Sequence, residues 1–129
     1  MANPNIVSVA SIYGECCGWA LGTGLTTTLF TVSADKLIKI NRIVCTNVDG
    51  ASAADLDLLI TTDIQTSLGG TVAGGAASIY LAKTISVPAD ASLVVSDTPI
   101  YLRENDILKG GASAASDLEL FITYEVIAV

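Results

Sequence analysis

The side chains able to carry chemistry are few: three cysteines, thirteen carboxylates, six lysines and arginines, and no histidine. Without histidine the commonest general base is missing, so a serine or cysteine nucleophile has no visible imidazole partner. Cys16 and Cys17 are adjacent, which makes a disulfide between them geometrically awkward. Together they suit a soft metal, but a structural zinc site wants four ligands and the chain has only three thiols to offer. Cys45 stands in an apolar run and reads as a small buried hydrophobe. Gly22-Thr23-Gly24 lacks the later glycine and the strand-to-helix context of a dinucleotide loop, and no Gly-Lys-Ser/Thr follows any glycine cluster. The residues therefore assign no catalytic group, no cofactor site and no metal site.

The carboxylates fall into two sets. Asp55 and Asp57 lie two apart on an alternating run, as do Asp117 and Glu119, so each pair shares one strand face. Such a pair could bind calcium if loops added oxygen ligands; the simpler expectation is a solvent face opposite the leucines. Asp63, Asp90, Asp97, Glu104 and Asp106 sit beside turns, where a short carboxylate accepts backbone hydrogen bonds. Glycoside hydrolysis needs two carboxyls facing across a cleft, and sequence spacing favours no pair over another.

The elements that must position these groups are strands. Gly50-Ala-Ser-Ala-Ala-Asp-Leu-Asp-Leu-Leu-Ile-Thr61 returns as Gly111-Ala-Ser-Ala-Ala-Ser-Asp-Leu-Glu-Leu-Phe-Ile-Thr123, with Ser116 inserted. Each copy reads as a small-residue turn feeding an alternating strand, which puts Leu56, Leu58 and Ile60 on one face and Leu118, Leu120 and Ile122 on another. Further strands are predicted at 6–13, 28–32, 36–48, 78–87 and 92–95, and the strand of the second copy extends over 117–127. Ile38 and Ile40 alternate, Ile43 and Cys45 take the opposite parity, and a β-bulge at Asn41-Arg42 would bring both halves to one core face. Turns are expected at Ser33-Ala34-Asp35, Pro88-Ala89-Asp90 and Arg103 to Asp106, and a mobile loop at 61–77. No segment shows helix capping followed by a 3.6-residue pattern. About eight strands joined by turns predict an all-β fold, an antiparallel two-sheet sandwich or jelly roll.

Gly14 to Gly24 breaks the alternation with glycines and carries the only tryptophan. Trp19 is either a lid over the end of the core or an anchor in a partner. With Tyr13 and Leu21 it forms the candidate interface. Residues 1–27 are accordingly read as an N-terminal strand and glycine-rich assembly segment, and 28–129 as the sandwich domain.

Composition narrows the partners. The formal charge is −7, the pI about 4.1, hydrophobic residues make up 51% and charged residues 15%, with a mean hydropathy of +0.61. Nucleic-acid binding needs clustered lysine or arginine, and no basic run occurs. Glycine, asparagine, aspartate and proline divide every apolar stretch well short of the roughly 18 residues of a membrane span. Met1 to Asn5 lacks the positive region of a signal peptide, so synthesis in the cytoplasm is the simplest expectation. So little charge describes either a compact, alanine- and threonine-rich β domain or a surface buried against further copies.

Leu29-Phe-Thr-Val-Ser-Ala-Asp-Lys-Leu-Ile-Lys-Ile-Asn-Arg-Ile-Val-Cys-Thr-Asn47 resembles the opening of a group of small β-sandwich virion proteins of tailed bacteriophages. In that group a Thr-Val-Pro-Ala-Gly-Lys-like turn leads into a long Ile/Val strand closing in Asn; here Ser33-Ala34-Asp35 replaces Pro-Ala-Gly. Ile79 to Leu93, Pro99 to Ile107 and Leu118 to Glu125 resemble its later strands, so the likeness spans about 28–127. The resemblance implies a non-enzymatic virion structural protein, a capsid decoration or cement protein forming a homotrimer on the major capsid protein or another virion protein. Similar modules occur in tails and fibres. There a host-surface glycan would be bound in an aromatic groove, for which Tyr80, Tyr101 and Tyr124 are the candidates. An acidic hydrolase is the competing class.

Overall fold

A computed structural model describes residues 9–62, 69–70, 72–73 and 77–128. They form nine strands: β1 (Ser11–Ala20), β2 (Thr28–Thr31), β3 (Lys36–Asn47), β4 (Ala54–Thr61), β5 (Ser78–Val87), β6 (Ser92–Ser96), β7 (Ile100–Leu102), β8 (Ile107–Ala112) and β9 (Leu118–Ala128). The fold is an all-β antiparallel sandwich. One sheet runs β1-β9-β3-β6, with β7 also on β3, and the other runs β2-β8-β4-β5. β6 and β7 prolong one another along β3, divided where Pro99 cannot donate to a ladder.

The two near-repeat strands, β4 and β9, lie inside different sheets. Their leucine rows face one core: Leu56, Leu58, Leu118 and Ile122 are fully buried and Leu120 and Ile60 nearly so. Ile38, Ile40, Ile43 and Cys45 of β3 join them. The predicted bulge is present, since the β3–β9 register shifts between Ile40 and Arg42. The turns are also as expected: Asp35, Asp90 and Asn105 take φ of 59°, 57° and 68°, a region Asp and Asn enter more readily than most residues. The inserted Ser116, at φ 63°, is likewise the residue that turns the chain into β9.

Three expectations change. Gly14 to Gly24 does not break the sheet: β1 continues to Ala20, paired with β9 throughout. Pairing to the most regular strand of the chain outweighs the low strand preference of glycine. The start of the predicted first strand, Ile6 to Ser8, lies outside the described residues, as do 63–68, 71 and 74–76 of the expected loop.

Second, Gly111 and Ala112 end β8 rather than beginning a turn. After Leu21 the chain leaves β9 and lies along β8, with Ala112 N–H donating to Gly22 O at 2.8 Å and Gly110 N–H to Thr27 O at 3.0 Å. Leu21 is the corner residue of that crossing. Its N–H donates to Leu118 O and its carbonyl accepts from Ser116 N–H, both at 2.9 Å, while its side chain is buried in the core.

Third, Asp57 is buried rather than solvent-facing. The β4–β5 register shifts on both sides of Leu58, and the bulged Thr84, at φ 51°, donates its N–H to Asp57 Oδ1 at 2.6 Å. A β-branched residue in that region is strained, and the charge-assisted hydrogen bond offsets the cost. Asp55 is only half-buried, and Asp117 and Glu119 remain half-buried and exposed.

Two contrasts test this account. A Cβ on Gly111 would sit 2.6 Å from Gly24 O, whereas one on Gly50 meets nothing nearer than 3.6 Å. We predict that Gly111→Ala lowers the denaturant midpoint by the equivalent of about 1–3 kcal/mol while Gly50→Ala stays within about 0.5 kcal/mol. The bond from Thr84 N–H to Asp57 is part-buried with a charged acceptor, and losing such a bond costs about 1.5–3 kcal/mol. Asp57→Ala should show that loss, and Asp55→Ala should not.

Candidate functional site

The candidate interface residues lie on β1 and just beyond it, so the phase of that strand decides what each can do. The Leu21-to-Leu118 hydrogen bond, with the constant β1–β9 register, makes odd-numbered residues of β1 direct their N–H and C=O at β9. Side chains follow the same alternation. Glu15, Cys17 and Trp19 stand opposite the inward Tyr124, Ile122 and Leu120, while Gly14, Cys16, Gly18 and Ala20 form the outward row.

The three candidates consequently have three environments. Tyr13 is 59% exposed. Trp19 is half-buried and packs its indole against the core. Leu21 is 1% exposed, so it is a core residue and not an interface residue. Sequence alone misses this because Leu21 follows the end of a strand and precedes a glycine loop, where burial depends on which sheet the chain joins next.

Beside Trp19 the outer face holds an open depression of about 400 Å³ lined by Gly18 to Ala20, Thr46 and Glu119 to Phe121. Phe121, 46% exposed, lies over Gly18, whose added Cβ would come within 3.4 Å of Phe121 Cδ1. Across β3 the same row continues through Val44 to the exposed Val94. The ring covers backbone that glycine leaves bare, the arrangement by which an aromatic supports a strand glycine. Thr46 is engaged with the Ser92 hydroxyl at 2.9 Å. What the depression offers a ligand is one aromatic face, short aliphatic surface and the exposed Glu119 carboxylate.

On the inner side, Tyr124 O–H donates to Glu15 Oε2 at 3.1 Å, and its ring meets Phe30 edge-on at 5.6 Å between centroids. Burial, then the neighbouring Glu15 carboxylate, pushes the Tyr124 phenol well above its ordinary value. Burial also raises the Cys17 thiol, against the opposing effect of its hydrogen bond with Tyr124, and pushes Cys45 up to about 11. Cys17 and Cys45 are therefore held as thiols at neutral pH, the form that is a poor nucleophile and metal ligand.

The turn carboxylates act on the backbone. Glu104 Oε2 accepts from Asp35 N–H at 2.6 Å and Asp106 Oδ2 from Arg103 N–H at 2.8 Å. Glu104 Oε1 is buried without a partner, yet among the described residues no three Cys, Asp or Glu side chains converge to hold a metal. Asp63 lies outside the described residues. A residue that sequence reasoning passed over is Asn47, buried with Nδ2 donating to Val87 O at 2.9 Å and Ser52 O at 3.0 Å, and Oδ1 accepting from Asp49 N–H. Its only signal was its place at the end of a long apolar strand. The three tyrosine candidates are not gathered: Tyr80 sits on β5 with Lys83 Nζ 4.9 Å from its ring centroid, Tyr101 sits on β7 in the other sheet, and Tyr124 is buried.

Comparison with family models, with curated proteins and with solved structures found no match.

Cys45 supplies a titration test. Its raised value means that its contribution to stability is complete below pH 9, the ordinary thiol value, and is lost as the pH rises toward about 11. The urea midpoint should fall over that window, and Cys45→Ala, though less stable at pH 7, should flatten the fall. At pH 7.5 a maleimide should modify the exposed Cys16 first, and Cys45 only on unfolding.

Proposed function

We propose that this protein is a non-enzymatic structural component of a bacteriophage virion, a homo-oligomer, trimeric in the reading its sequence resemblance implies, that decorates or cements the capsid through contact with the major capsid protein. The observation that carries the reading is the outward display of large apolar side chains by a chain with little charge. Tyr101, Phe121 and Val94 are each between 44% and 51% exposed on the outer face of the five-stranded sheet. A free monomer gains nothing from leaving them in water, whereas interface cores are enriched in aromatics and depleted in charge.

Two further features support it. The strand order β1-β9-β3-β6 over β2-β8-β4-β5 has the interleaving of a jelly roll, an architecture shared by viral capsid and lectin domains; that support is by analogy of fold. Among the described residues the buried carboxylates Asp57, Glu104 and Asp106 are engaged in holding turns and a bulge, a structural use of acidic side chains.

The deciding experiment is imaging of labelled protein on intact particles, with binding of the purified protein to heads that lack it. We expect regular placement over the head, and binding weakened about tenfold or more by Phe121→Ser, a loss of the size typical of an aromatic anchor. Signal confined to the tail or fibre tips would overturn decoration and favour a glycan-binding tail component.

A further inference from the structure

A sheet edge carries unpaired N–H and C=O groups that will pair with any accessible strand, and proteins blunt such edges with bulges, lysines, prolines or short strands. Three of the four edges here are blunted. β5 carries two register shifts, the left-handed Thr84 and Lys83. β2 has four residues and a register shift, and the edge formed by β6 and β7 is split at Pro99 into strands of five and three residues. β1 is different. It is ten residues long, regular from Ser11 to Ala20, and contains no lysine, no proline and no bulge; its one charge, the inward Glu15, is engaged by the Tyr124 hydroxyl. Among the described residues no strand pairs with its outer side.

The groups on that open side belong to Ile12, Gly14, Cys16, Gly18 and Ala20, because the odd residues are spent on β9. Small side chains leave the backbone accessible, and a Cβ built on Gly14 meets nothing within 4 Å. The row is also self-complementary. The antiparallel register that engages all of it places Cys16 opposite Cys16 of a second copy, Gly14 opposite Gly18 and Ile12 opposite Ala20. On the inner side it sets Tyr13 of each copy directly against Trp19 of the other, a non-hydrogen-bonded pair in which side chains approach most closely.

The geometry points to β1 as a two-fold docking edge whose occupant is β1 of a second copy of this chain, joining two five-stranded sheets into one. The register accounts for two features that the single chain leaves open: a tyrosine 59% exposed on the same row as a half-buried tryptophan six residues on, and an outward row that after Ile12 is reduced to Gly, Cys and Ala. The two Glu15 residues occupy diagonal positions, about 7–8 Å apart by strand geometry, so their like charges repel and added salt should tighten the contact. This contact stands independently of the virion reading, and in a trimeric protein it would link one trimer to the next.

The test uses the full chain in solution. Sedimentation equilibrium should show a species of twice 13.2 kDa or an even multiple of it. Cys16→Lys, which puts two like charges face to face, should weaken association about tenfold or more, with an unchanged far-ultraviolet circular dichroism spectrum. Gly14→Pro removes an outward N–H without touching the β9 ladder and should do the same. A short bismaleimide, whose two rings each add one thiol, should couple copies through Cys16 in wild type and in Cys17→Ser, and fail in Cys16→Ser. A monomer at every concentration, association indifferent to both edge variants, or coupling through Cys17 as readily as through Cys16 would overturn the assignment. None of these outcomes depends on where the protein resides on a particle, so this contact and the capsid reading fail separately.

Discussion

The structure depends on one shared apolar layer, to which β4 and β9 each contribute a leucine row from their own sheet. Leu56, Leu58 and Ile60 approach from one sheet, and Leu118, Leu120 and Ile122 from the other. Burying such a side chain is worth about 1.5–3 kcal/mol, and no other pair of strands contributes so regular a row. The irregular features of the chain serve this layer. The bulge at Asn41 returns Ile43 and Cys45 to the core after Ile38 and Ile40 have set the phase. Leu21 closes the layer where the chain passes from one sheet to the other, and the Gly111 backbone lets that crossing strand approach within contact distance.

A core this apolar has to be enclosed by turns whose polar groups are satisfied locally. Asn47, Asp57 and Asp106 do this from buried positions, each accepting a backbone N–H from a turn or bulge. The acidic balance of the chain is therefore partly architectural. The surface pair Lys39–Glu125, at 3.5 Å and about a third exposed on each side, adds little by comparison. Behind β1, burial raises the Cys17 thiol and the Tyr124 phenol above their ordinary values. The same economy leaves much of the outer faces covered by Thr, Ser, Val and aromatic side chains.

Most of the architecture was legible in the sequence, because a strand with one buried face advertises itself by alternation. Leu56 to Ile60 and Leu118 to Ile122 gave the two central strands, the parity change at Asn41 gave the bulge, and Asp35, Asp90 and Asn105 sit where turns demand an uncommon φ. Residues that touch their sequence neighbours were readable for the same reason. The candidate site was legible only in part: Tyr13 and Trp19 lie on one strand, but the depression beside Trp19 needs Thr46 and Glu119 to Phe121 from two other strands.

What the tertiary structure alone decided are matters of pairing between distant segments. Two near-identical stretches place one glycine in an open turn at Gly50 and the other under a crossing chain at Gly111, because only the second has β2's approach beside it. Asp55 and Asp57 share a strand face, yet Asp57 is buried by a bulge in β5 that begins more than twenty residues later. Leu21 is core and not surface because the chain changes sheets immediately after it. Periodicity reports which way a side chain points relative to its own strand. Whether that direction meets solvent, another strand or a second molecule is set by non-local pairing, which no local pattern encodes.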